Sequence, residues 1–285
     1  MKLTKGKVLL VAGAATAVVS VAGPAIARHS WNNYHWLLSP GQEITVPVID
    51  QTDASWRGHT QMAVNDWNQS TVIQAPYVNG TAGAECTFVE NQIQVCNDDY
   101  GSVGWVGLAS ITLANGHINS GWSKMNDYYF NQPQYSSNAW RQAVMCQEIG
   151  HDYGLGHQNE NFRTDSTTSC MEYTSNPEGN ESPDAHDYEQ LLDIYAHDDA
   201  SGGGGGGNGG GRGRPNRFGA QGNGNAYGIG NRPETWGQPI GFLPDGRPNV
   251  YEKHVEGVTV VTHVTWAIGE GPRGNHHRGG GDHHH

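Results

Sequence analysis

The chain has 285 residues, of which 35% are hydrophobic and 15% charged, and its net charge is −12. That length is ample for a real core and fits one or two domains. A chain this acidic has no overall pull on nucleic acid or on an anionic membrane, which disfavours both as partners.

Residues 1–27 read as a secretory signal. Lys2, Lys5 and Lys7 make a positive end, Val8 to Ala22 is an apolar run, and Ala25-Ile26-Ala27 is a small-x-small cleavage site. The run is short for a membrane span and is broken by Gly13, Gly23 and Pro24. The three lysines are its only charges, so its removal takes the net charge from −12 to −15. No later stretch is apolar enough to span a bilayer. The mature protein is expected to be a monomer, secreted by bacterial-type export. Export makes two disulfides the expected state of Cys86, Cys96, Cys146 and Cys170. Cys86 and Cys96 flank a short strand-like segment and are easily paired.

Residues 28–199 have ordinary globular texture. Trp56, Thr60, Ala63, Val64 and Trp67 recur at helical spacing, with Asp53 as a cap before them. Strand-like texture follows over Val72–Val78, Gln92–Val95 and Trp105–Leu113. Asn115-Gly116 is a tight-turn signal that pairs Ile111–Leu113 with His117–Asn119. A second helix is predicted from Ser137 or Asn138 through Trp140, Ala143, Val144 and Ile149, stopped by Gly154. A third takes Ser182 as its cap, Pro183 in its first turn, and an apolar face of Tyr188, Leu191, Leu192 and Tyr195.

From Gly202 to Gly230, 15 of 29 residues are Gly, which predicts a flexible linker over residues 200–231. Residues 232–269 regain aromatic and β-branched content and read as a small β module. In it Asn249–Val255 and Val258–Ile268 flank Glu256-Gly257 as a hairpin. Residues 270–285 form a Gly- and His-rich tail. Its His276-His277 and His283-His284-His285 are expected to be disordered and to hold metal only adventitiously. The order of elements is that of an α+β fold, not of repeated βαβ units.

Chemistry concentrates in residues 147–157, Gln-Glu-Ile-Gly-His-Asp-Tyr-Gly-Leu-Gly-His. Gln147 and His151 are four apart and share a helix face, with Glu148 beside them. A turn at Gly154 brings His157 back to the same point. Three protein ligands around an open position are how a catalytic zinc site is built.

This segment resembles the HExxHxxGxxH motif of the metzincin metalloproteases at Glu148, His151, Gly154 and His157. It departs at Gln147, where the family has its first His. Ser169-Cys170-Met171-Glu172-Tyr173 is similar to the SxMxY Met-turn of the astacin and serralysin branches. The wording Met-Cys-Gln-Glu resembles a group of secreted bacterial metzincin-like proteins that share this Gln. The resemblance covers about residues 31–199. It implies a catalytic domain with a twisted mixed sheet, an active-site helix, a Met-turn and a C-terminal helix. It implies a zinc endopeptidase acting on a peptide or protein substrate, with Zn2+ on His151 and His157 and Gln147 as a third ligand. Glu148 would be the general base, Met171 a structural residue, and Tyr173 either a packing residue or one that reaches the metal or the oxyanion. Because a Met-turn lies under the active-site helix, the resemblance also implies a Cys146–Cys170 bridge.

Three outcomes stay open at Gln147. It is a weak ligand, or water or another residue takes its place (His117 and His186 are conceivable), or the metal is lost. A peptide substrate is expected to lie along the cleft edge as an added strand. No latency device is evident, since residues 28–52 are short and hold no Cys. The rivals are a binding protein for peptide or surface polymer on the same fold, and a protein whose zinc is purely structural.

Overall fold

The computed structural model describes residues 29–37, 43–162, 167–197, 199 and 226–272. The signal segment, the linker up to residue 225 and the tail from residue 273 lie outside the described residues. The strands are β1 (Ile44–Thr45), β2 (Val48–Asp50), β3 (Ile73–Gln74), β4 (Tyr77–Asn79), β5 (Ile93–Asp98), β6 (Trp105–Ala114), β7 (His117–Asn126), β8 (Gln238–Phe242), β9 (Pro248–Val255) and β10 (Val258–Trp266). The helices are α1 (Arg57–Trp67), α2 (Asp127–Phe130), α3 (Asn138–Asp152) and α4 (Ala185–Ile194).

Helical periodicity produces α1, which buries Thr60, Ala63, Val64 and Trp67. Asp53 does not cap it with its side chain. Its carbonyl accepts from the N–H groups of Trp56 and Arg57, and its carboxylate takes Ser55. α3 begins where predicted, with the Ser137 hydroxyl oxygen accepting from the Trp140 N–H at 3.2 Å. The start of α4 differs from the expectation. Asp184, not Ser182, is its cap, because the Asp184 carboxylate accepts from His186 and Asp187 while Asp187 reaches back to the Asp184 N–H. Ser182 instead donates to Asp66.

Asn115 and Gly116 both take positive φ, 52° and 88°, and form the tight connection between β6 and β7. One sheet carries eight strands in the order β4-β2-β5-β7-β6-β10-β9-β8. The pairs from β4 to β7 are parallel, and those from β7 to β8 are antiparallel. The fold is therefore α+β around a mixed sheet. α3 lies across β6 and β7 and against α1.

The C-terminal segment is not a separate layer. β10 pairs with β6 along most of its length, and β9 and β8 follow. The physical reason is that both faces of β10 are needed. Val261 enters the core that contains α1, α3 and α4, while Val260, Val264 and Trp266 enter a second core with Trp105, Trp122 and Trp236. The pairing also covers an edge that β6 would otherwise leave with unpaired backbone groups. Residues 226–230, read as the end of the linker, are packed as well. Ile229 is buried, and the Trp236 ring N–H donates to the Gly230 carbonyl at 2.7 Å. Cys86 pairs with Cys96 and Cys146 with Cys170.

Candidate metal centre

Gln147, Glu148 and His151 are buried on α3. The chain then reverses at Gly154, whose φ is +90° and whose α-carbon lies so close to the Tyr34 carbonyl that no side chain fits. That reversal returns His157 to His151, with ring centroids 4.8 Å apart. The His151 Nδ1 lies 2.8 Å from the Leu155 carbonyl oxygen, which can only accept. The proton therefore sits on Nδ1, and Nε2 turns a lone pair inward. The His157 Nδ1 faces Glu160 Oε1 at 3.5 Å, which orients that ring in the same sense.

The third histidine is His263 on β10. Its ring stacks on His151 at 3.8 Å and lies 4.6 Å from His157. One ligand atom from each of the three falls within 4.8 Å of the others. His151 Nε2, His157 Nε2 and His263 Nδ1 are all buried without a hydrogen-bond partner. Three buried ring nitrogens without a partner are costly, and a cation shared among them relieves that cost. Burial, reinforced by the neighbouring imidazoles, holds His151 and His263 well below the ordinary histidine pKa. Both are thus neutral at physiological pH, the form that binds metal. The residues fit a zinc ion.

Gln147 is not brought into this cluster. Its amide N–H groups donate to the carbonyls of Cys170 and Glu172 at 3.0 and 3.3 Å, and its oxygen accepts from the Thr265 hydroxyl at 3.0 Å. A geometric match explains the division. Four residues along a helix advance about 6 Å, and two along a strand about 6.7 Å. β10 therefore sets His263 over His151 and Thr265 over Gln147. His117 and His186 are also elsewhere, His117 against His35 and His186 against His29.

Glu148 is fully buried, and neither carboxylate oxygen has a hydrogen-bond partner. It packs against Gly107 of β6, where any side chain would overlap its carboxylate. Burial pushes its carboxyl up to about 8, and the nearby Thr265 hydroxyl opposes this only in part. Met171 lies beneath α3, its sulfur against Gly150. The Met171 N–H donates to the Ser169 hydroxyl oxygen at 2.8 Å, and its carbonyl accepts from Gln158 at 2.7 Å. Tyr173 packs its ring on His157 at 4.1 Å and donates its hydroxyl to the Val264 carbonyl at 2.8 Å. Trp31 closes the remaining side, with its ring 5.9 Å from His151 and 5.6 Å from His263.

His263 is the residue that sequence reasoning missed. Its signal was an imidazole in the middle of a β-branched strand, two residues from Val261 on the face that enters the core of α1, α3 and α4.

No family model matches the chain, and no curated protein matches it. Several solved structures match the chain. The chain is similar to myroilysin. The TM-score is 0.35 at 13% identity, and the match covers 59% of this chain and 98% of that one.

Proposed function

We propose that this chain is a secreted, zinc-dependent hydrolase of the metzincin kind that cleaves peptide bonds. Its metal ligands are His151, His157 and His263, and Glu148 is its general base. The observation that carries the reading is the Glu148 carboxylate, buried on α3 three residues before His151 with no hydrogen-bond partner of its own. A purely structural metal has no use for such a group, which is costly to bury. When bound, zinc supplies Lewis acidity and acidifies water beside it. Glu148 accepts a proton from water at a carboxylate oxygen and returns it to the departing amine. The Leu155 carbonyl and Glu160 hold the imidazoles in register. Gln147 and Thr265 lock β10 to α3, so that His263 stays in place. Two disulfides fit an oxidising compartment, and among the described residues no helix is long and apolar enough to cross a membrane.

The edge of β6 is taken by β10, so no peptide strand can be added there. Together with Trp31 this encloses the centre, and the enclosure favours a second reading in which the metal holds the fold and no substrate enters. Zinc content and cleavage of a mixed peptide library separate the two. Comparison of wild type with His263→Ala subtracts any zinc held by the tail. The hydrolase reading expects one zinc lost in His263→Ala, and cleavage abolished in Glu148→Gln with zinc retained. Zinc without cleavage in wild type establishes the second reading, and no zinc difference refutes both.

A further inference from the structure

A second cluster lies apart from this centre, where the N-terminal segment, the β6–β7 turn and the chain beyond α4 meet. His35 Nε2 is 3.1 Å from His117 Nδ1, 3.1 Å from His197 Nε2 and 3.3 Å from Asp199 Oδ1. His197 Nε2 is 2.9 Å from that same Asp199 oxygen. His117 Nδ1 is 3.8 Å from the other oxygen, Oδ2. Three imidazoles and a carboxylate thus point their donor atoms at one volume.

Hydrogen bonding among these groups does not account for every contact. His35 Nδ1 lies 2.8 Å from the Asn33 carbonyl oxygen, which only accepts, so the proton of the neutral ring is on Nδ1. Its Nε2 then offers a lone pair to two ring nitrogens and a carboxylate oxygen. An N–H from His117 or His197 can serve that lone pair, but the Asp199 oxygen at 3.3 Å still faces it lone pair to lone pair. The spacing has another origin. Four ligands about 2.0–2.1 Å from a zinc ion in a tetrahedron stand about 3.3 Å from one another. The four contacts made by His35 Nε2 and His197 Nε2 are near this edge length. The Nδ1–H bond to a backbone carbonyl is also how a ligating histidine is oriented from behind.

We propose that His35, His117 and Asp199, whose ligand atoms lie within 4.8 Å of one another, hold a second zinc ion that is structural in kind, with His197, against His35 and Asp199, as its fourth ligand. Imidazole nitrogen with one carboxylate selects a borderline transition ion over calcium or magnesium, which take oxygen ligands. The site ties together three stretches that are far apart in sequence. It clips the N-terminal segment in place, and that segment carries Trp31, whose ring lies over His151 and His263. The inference does not depend on the hydrolase reading.

The test uses the full chain, stripped with chelator and titrated with zinc against a chromophoric competitor, with melting temperature followed in parallel. His197 is the safest position to alter because its side chain is 43% exposed. Asp199→Asn is the second variant and keeps the shape. Wild type is expected to take up one zinc more than either variant, and the variants' affinity at this site to fall more than about 100-fold, beyond what loss of an outer partner costs. Zinc should raise the melting temperature of wild type more than that of either variant, and calcium should have no effect. Combining His197→Ala with His263→Ala should remove two zinc ions, so a failure here stays distinct from a failure at the first centre. Equal zinc uptake and an equal zinc-induced rise in wild type, His197→Ala and Asp199→Asn would overturn the proposal. So would an equal response to calcium.

Discussion

The two halves of the first centre are built by different means. His151 and His157 come from one short stretch, and only a helix and a reversal at Gly154 are needed to join them. His263 arrives on β10, whose place is set by pairing with β6. The first half depends on local geometry and tolerates much change elsewhere. The second depends on register, because a slip of one residue in β10 would turn His263 to the opposite face of the sheet. A site assembled in this way is robust on its helical side and conditional on its strand side.

Removing the strand side altogether should have the largest effect. A chain ending at residue 225 loses Val261 and Ala267 from one core and Ile229, Trp236, Leu243, Tyr251 and Trp266 from the other. We expect it to lose its cooperative melting transition, as followed by near-ultraviolet circular dichroism. Melting like that of the full chain would show that the helix–loop half stands alone. The comparison would then break.

A smaller effect is expected within the helix–loop half. The Cys146–Cys170 bridge closes a sequence separation of 24 residues and ties α3 to the turn carrying Met171. Replacing both cysteines with Ala should cost roughly 3 kcal/mol by the loop-closure argument. Urea unfolding measures this, and a loss below about 1 kcal/mol would mean that packing around Met171 already holds the turn.

The finest probe is Thr265→Val, which keeps the shape and removes one hydroxyl. It leaves the Gln147 oxygen buried without its donor at 3.0 Å. The expected cost is about 1–3 kcal/mol, with zinc affinity reduced alongside because β10 is no longer pinned over α3. Unchanged stability and affinity would mean that Gln147 does not couple the two halves.

Legibility in the sequence follows the same division. Asn115-Gly116, the Ser137 cap and the spacing from Glu148 to His157 are local signals, and each corresponds to what the structure shows. Ser182 and Asp184 are both capping types only two residues apart. The choice between them turned on a reciprocal contact with Asp187 that spacing alone left unweighted. β1 and β2 are two and three residues long, too short to show an alternation. His263 was out of reach for a different reason. The β10 hairpin was readable, but its partner on β6 was not, because nothing in the local pattern of a strand states which distant edge it will join. Gln147 followed from that gap. With His263 unseen, a helix position facing the motif was read as a ligand, whereas its amide bonds the Cys170 and Glu172 carbonyls and the Thr265 hydroxyl of β10.

The pairing of β10 with β6 also has a consequence in time. Ser110 donates to the Val261 carbonyl across 151 residues of chain. Contacts of such separation form slowly, since the intervening loop must close before they contribute. Until they do, β6 presents an unpaired edge, and such edges recruit other chains. His151 and His157 would meanwhile be near each other without His263. The last strand to arrive is therefore the one that both ends the risk of aggregation and completes the centre. Refolding yield should fall with protein concentration over the interval before that strand docks.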